Sequence, residues 1–151
     1  MTPLEKLRQL KLTLPTPSQP GGSYQSVNIR GKIAYIAIQF PILEGEFLFQ
    51  GKLGRDFNTA EGYKAMELSA LNVLSQIHHK IGFDKVEGLN HIDAYYCASG
   101  DWDEAPKVVN GASDLFVNVL GDKGLHARAI FGVDKLPRNF AVGLTASFTL
   151  I

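Results

Sequence analysis

Only one cysteine, Cys97, occurs in the chain, so no internal disulfide can form and a reducing, cytoplasmic setting is expected. Cys97 lies in an apolar, strand-like run, the usual surroundings of a buried, unreactive thiol. An excess of charge is also missing: 15 Lys+Arg stand against 15 Asp+Glu, for a formal net charge of zero. Grip on a phosphate backbone comes mainly from Lys and Arg, and no basic run interleaved with aromatics occurs here, which argues against nucleic acid as a partner. Zero net charge leaves little self-repulsion and is compatible with oligomers. No apolar run approaches the roughly 20 residues of a membrane-spanning helix. No N-terminal segment joins a basic region, an apolar core and a cleavage site, so no secretory leader is expected. His78 and His79 are adjacent rather than a helical turn apart, so their rings diverge and no metal pair is expected. Nor is any cofactor.

What the chain does have is enough apolar residues for a core: 45% are hydrophobic and 20% charged over 151 residues, which suits one domain. Thr2-Pro3-Leu4-Glu5 predicts a short helix over about 2–11, with a threonine cap and with Leu4, Leu7 and Leu10 on one face. Pro15, Pro17, Pro20 and Gly21-Gly22 make 14–22 an extended lead-in. Tyr24–Ile29 and Lys32–Ile38 flank Arg30-Gly31 and predict a hairpin, whose second strand is so apolar that both its faces should be covered. Glu44-Gly45-Glu46 reads as a turn. A long helix starts at Asn58 or Thr59 and is stopped by Gly82; Thr59 with Gly62 forms no capping box. Lys85–Cys97 reads as a strand with a bulge at Gly88, and Asp103 as a cap for the next helix. That helix carries Val108 or Val109, Ala112, Leu115 or Phe116, and Val119 about one turn apart, and ends at Gly121. Leu125–Val133 and Phe140–Ile151 are the last strands. The sum is an α+β fold, a sheet with two long helices packed on one face. Its other face must be solvated or covered by a partner subunit, and such apolar strands favour a closed oligomer.

Function is sought first at Arg128, an arginine among apolar neighbours in a strand. A guanidinium presents a planar fork of donors that matches a carboxylate and stays charged at any ordinary pH. The ordinary alternative is a surface salt bridge. His126, two residues earlier, shares its face on a regular strand. It can touch a ligand or move a proton near neutral pH, or it can be a hydrogen-bonded structural histidine.

Several motifs together carry a resemblance to a known family: Leu14-Pro15 with Gly22-Ser23-Tyr24, Gln39-Phe40-Pro41, Gly51-Lys52-Leu53-Gly54, Glu61-Gly62-Tyr63, Val109-Asn110-Gly111-Ala112-Ser113-Asp114, Gly124-Leu125-His126-Ala127-Arg128, and Gly132-Val133 with Leu136-Pro137. The chain resembles the YjgF/Rid family, the reactive-intermediate deaminases, in its longer-chain branch often labelled L-PSP endoribonuclease. The resemblance spans about Leu14 to near the C-terminus. It implies a chorismate-mutase-like fold, a homotrimer whose sheets form a central barrel, and pockets at the three subunit interfaces. It implies a substrate class too, 2-imino or 2-enamino acids hydrolysed to 2-keto acids and ammonia. On this resemblance Arg128 clamps the substrate carboxylate, and Tyr24 and Asn110 match pocket positions; both also have plain readings, as a strand tyrosine and a helix-surface asparagine.

The sequence departs from the family pattern at two places. The glutamate of the final strand, which follows the Leu-Pro turn and positions or activates water in the family, is Gly143 here, and a glycine can neither accept a proton nor orient water through a side chain. The Ser-Gly pair before the glutamine is Ala37-Ile38, so a hydroxyl is lost and bulk is added. Glu44, Glu46, Asp93 and His126 are the available substitutes. Three functions stand at this point: capture of small carboxylate metabolites without efficient imine deaminase activity, favoured by Gly143 and Ile38; imine hydrolysis with a replacement base; and an endoribonuclease role, which the charge balance disfavours.

Overall fold

The structure, a computed structural model, describes all residues, Met1–Ile151. A five-stranded mixed sheet forms its centre, built from β1 (Val27–Arg30), β2 (Ile33–Gln39), β5 (Val86–Tyr96), β6 (Ala127–Gly132) and β7 (Val142–Leu150), in the order β1-β2-β7-β5-β6. β5 and β6 run parallel and every other neighbour pair antiparallel. A parallel pair needs a crossover, and α3 (Ala105–Leu120) supplies it. α2 (Thr59–Lys80) packs beside α3 on the same face. β3 (Ile42–Leu43) and β4 (Glu46–Phe47) form a separate small ribbon, and α1 (Pro3–Gln9) precedes the sheet. The expected α+β layering is what is found.

Local chemistry sets the element ends. In α1, Thr2 Oγ1 accepts from the Glu5 amide at 3.2 Å and Glu5 accepts from the Thr2 amide at 3.1 Å, a full capping box. Its expected apolar face is only partly used: Leu7 is buried while Leu4 and Leu10 stay exposed. α2 has a capping box that the Thr59–Gly62 spacing concealed: Asn58 Oδ1 accepts from the Glu61 amide at 2.8 Å and Glu61 accepts from the Asn58 amide at 3.0 Å. Asp103 does not cap α3. Glu104 holds the cap position without a capping bond, because its carboxylate accepts instead from Thr59 Oγ1 at 2.7 Å and Lys107 Nζ at 2.8 Å.

The core lies between the helices and one face of the sheet. Ile36, Ile92, Ala94, Leu144, Ala146 and Phe148 meet Met66, Val73, Leu74 and Ile77 of α2 and Val108, Ala112, Phe116 and Val119 of α3, all buried. Gly111 is what lets α3 close on α2, since a Cβ there would collide with the Tyr63 carbonyl oxygen. Tyr63 Oη donates to Asp114 Oδ2 at 2.7 Å across the same contact.

Within one chain β2 is covered on one face only: Tyr35 is 51% exposed. Both helices are on one side, so alternate residues of each strand project to the uncovered one. In register, Tyr35, Ser147, His91 and Ala127 cross that face, with Thr145 and Asp93 beside them. The strands' apolar residues are concentrated on the helix side, and the uncovered face is mixed rather than oily.

Candidate functional site

The residues singled out from sequence fall into two groups. The first surrounds Arg128. It sits in β6 opposite the buried Ile92, on the side facing α3. Its Nη1 donates to Asn110 Oδ1 at 2.8 Å and Ser113 Oγ at 3.1 Å, and Nη2 reaches the Pro106 carbonyl at 3.4 Å. Asn110 and Ser113 are three residues apart and so share one face of α3. The packing of Gly111 against α2 seats that face. The expected alternative for Arg128, a surface salt bridge, is not present: none of the chain's ion pairs includes it. All three acceptors are neutral, so its charge is uncompensated.

His126 does point toward α3 with Arg128, and Ser113 joins them. His126 Nδ1 lies 2.6 Å from the Gly124 carbonyl and Nε2 lies 2.9 Å from Ser113 Oγ. A carbonyl only accepts, so Nδ1 carries a proton; Nε2 shares a second hydrogen bond with the Ser113 hydroxyl, whose oxygen also accepts from Arg128. The histidine thus orients the serine that steadies the guanidinium, and both its ring nitrogens are engaged. Ser113 was not singled out among the candidates; its spacing from Asn110 was the available signal.

The second group is built on β2, β7 and the lead-in. Tyr24 and Ile38 line a cavity of about 870 Å³ together with Ser26, Gln39, Phe40, Ile42, Glu44, Phe47, Arg138 and Phe140. Tyr24 Oη accepts from the Gly21 amide at 3.0 Å, which leaves its own proton to donate. β2 bulges here: Ile36 pairs with Ala146 and Gln39 with Leu144, so the two strands lose step between them. Ala37 and Ile38 occupy that bulge. Ala37 lies outside the cavity lining; its amide donates to the Ser26 carbonyl at 2.9 Å and its carbonyl accepts from Gln39 Nε2 at 3.0 Å.

Gly143 sits under the bulge. A Cβ on it would fall 2.8 Å from Ile38 Cδ1 and 2.9 Å from Phe40 Cε1. A side chain at 143 would therefore have to displace the end of Ile38 and the edge of Phe40. The two departures read separately in the sequence are one packing arrangement, with a bulky residue at 38 above a residue with no side chain at 143.

Of the three carboxylates named as substitutes, Glu44 alone lines this cavity. It accepts from the Thr16 amide at 3.0 Å and Thr16 Oγ1 at 2.7 Å. Those bonds, the hydroxyl's first, push its pKa down and make it a weak base. Glu46 lies exposed on the ribbon. Asp93 is on the uncovered face, 2.8 Å from His91 Nε2. Neither Arg128 nor Asn110 lines the cavity that holds Tyr24 and Ile38. One chain thus carries two separate clusters, one against α3 at the β6 edge and one around the β2 bulge. Sequence reasoning also missed Phe47, Arg138 and Phe140; nothing local marks them, because they reach the cavity from the ribbon and from the turn before β7.

No three His, Cys, Asp or Glu side chains are grouped so as to hold a metal ion. No helix is long and apolar enough to cross a membrane.

This architecture, a mixed sheet with two helices on one face and an arginine at the edge strand, defines a chorismate-mutase-like α+β protein. Residues 5–149 match the model of the YjgF/chorismate mutase-like family of candidate endoribonucleases. The chain belongs to that family. Protein TCP17 of Trypanosoma cruzi is 32% identical over 142 residues, covering 93% of this chain and 89% of that protein. A candidate endoribonuclease from Shewanella oneidensis MR-1 superposes with a TM-score of 0.97 at 30% identity, over 99% of this chain and 100% of its own. Atu1372 of Agrobacterium tumefaciens superposes with a TM-score of 0.91 at 31% identity, over 97% and 91%.

Proposed function

We propose that the protein is a binding protein for small carboxylate-bearing metabolites, without efficient imine deaminase activity. It acts as a cytoplasmic homotrimer of a single YjgF/Rid-like domain spanning residues 1–151. Each pocket joins the Arg128 cluster of one copy to the Tyr24–Ile38 cavity of its neighbour. The observation that carries this reading is the close approach of Ile38 and Phe40 to the side-chain position of Gly143. Hydrolysis of an imine needs a group that positions or deprotonates water within hydrogen-bond reach. Ile38 and Phe40 stand where such a group would project, and Glu44 is tied to Thr16. Recognition of the carboxylate keeps its support. Arg128 has no carboxylate partner in its own chain and is steadied by Asn110 and Ser113, so its fork is oriented before a ligand arrives. The separation of the two clusters within one chain is what an inter-subunit pocket would require.

The test is ammonia release from freshly generated 2-iminobutyrate or 2-aminoacrylate, on protein whose trimeric state has been checked by light scattering. The expected result is no turnover above the uncatalysed rate, with binding of a 2-keto acid that Arg128→Ala abolishes. Turnover by the wild type that disappears in Arg128→Ala would overturn the binding-only reading in favour of a deaminase.

A further inference from the structure

The cavity at the β2 bulge has an aromatic lining that capture of a small acid does not call for. Phe40 and Phe140 stack with ring centroids 4.8 Å apart and planes within 9°. Phe47, reaching in from the ribbon, meets Phe140 edge-on at 5.3 Å and is still 43% exposed. Ile38 and Ile42 complete the apolar wall. An exposed aromatic ring at the mouth of such a wall has its free face available to another ring.

The same cavity holds a cation with nothing to pair it. Arg138 lines it, exposed to solvent, and takes part in none of the chain's ion pairs. Its backbone is left-handed, φ 56° and ψ 25°, and Asn139 beside it has φ 59°. Two successive non-glycine residues in that region are unfavourable and persist only when the surroundings impose them. Here they are imposed: Gln50 Nε2 donates to the Arg138 carbonyl at 2.7 Å and the Gly51 amide to the Asn139 carbonyl at 2.8 Å. The turn that carries Arg138, a residue lining the aromatic cavity, is thus held in one backbone conformation. The Tyr24 hydroxyl, its oxygen engaged by Gly21, offers one more donor.

We propose that this cavity takes a carboxylate bearing an aromatic group, with the ligand's ring against the exposed Phe47 and Arg138 as an anion-recognising residue of the site. The proposal rests on the reading above in placing the ligand in this cavity, and adds to it the ligand's class and a second cation.

Calorimetric titration with phenylpyruvate and with pyruvate tests it, because the two share a head group and differ by the ring. The wild type should bind phenylpyruvate at least tenfold more tightly. Phe47→Ala should erase that preference, bringing phenylpyruvate affinity down to that of pyruvate. Arg138→Gly, which relieves the left-handed strain and so preserves the fold, should weaken phenylpyruvate binding at least tenfold with no fall in Tm. Equal binding of the two acids by the wild type, or unaltered phenylpyruvate binding by Arg138→Gly, overturns the proposal. If pyruvate binding still depends on Arg128 in that case, the metabolite-binding reading survives alone. If the preference for phenylpyruvate holds but Arg128→Ala has no effect, the carboxylate clamp assigned to Arg128 fails and the aromatic site stands. Binding of neither acid overturns both.

Discussion

Placing a glutamate at position 143 should not by itself create a catalytic site, because its side chain meets Ile38 and Phe40. In Gly143→Glu the new Cβ would lie 2.8 Å from Ile38 Cδ1 and 2.9 Å from Phe40 Cε1, well inside contact distance. Phe40 is stacked on the buried Phe140, so it cannot easily give way. Overpacking of this kind costs about 1–3 kcal/mol, and in a chain of this length each kcal/mol lowers Tm by roughly 2–4 °C, so the single variant should melt about 2–12 °C below the wild type. The carboxylate must also leave water beside Ile38 and Phe40, which adds to the loss. Ile38→Gly removes the nearest obstacle at the expense of a half-buried side chain. The pair should therefore be non-additive: Gly143→Glu should cost less in the Ile38→Gly background, with a coupling of about 0.5–3 kcal/mol. The assay is chemical denaturation of all four proteins, with ammonia release from an imino acid measured on each. If Gly143→Glu alone is as stable as the wild type and turns over substrate, or if the two substitutions add independently, the packing argument is refuted.

Two further outcomes follow from bonds seen here. Asn58→Ala removes the cap of the longest helix and should cost about 0.5–2 kcal/mol, read as a lower denaturation midpoint, whereas Asn58→Asp should keep most of the stability. The Tyr63 phenol is pushed up to about 12, first by burial and then by its bond to Asp114. A raised folded-state pKa means that the stabilisation is fully present below the ordinary value of 10.0 and is lost as pH rises through about 12. Ultraviolet titration should show a late-ionising tyrosine that is missing in Tyr63→Phe; an unchanged curve would remove the Tyr63–Asp114 bond from the account.

The elements were legible because the signals for them are local. Three-residue and four-residue spacing of Val108, Ala112, Leu115 and Val119 marks one helical face, and the Thr2–Glu5 spacing marks a cap. Where the reading of a cap went astray, a side chain had found a distant partner: Glu104 turned to Thr59, and Asp103 did not cap the helix. Arg128, Asn110 and His126 could be gathered from their motifs, since α3 and β6 are joined by a short connection and pack together. Arg138, Phe47 and Phe140 could not, because they are brought together from the ribbon and the turn before β7.

By itself, then, the sequence determined the α+β layering, the family and the identity of the edge arginine. These depend on periodicity, on capping spacings and on motifs a few residues long. Only the tertiary structure decided how the parts relate. Strand order puts the β2 bulge and the Arg128 cluster in different places of one chain, and a register slip between Ile36 and Gln39 sets the Ile38 side chain over Gly143. Residues 38 and 143 are more than a hundred positions apart, and whether one excludes the other depends on close packing between strands, where displacements of a single ångström decide the outcome.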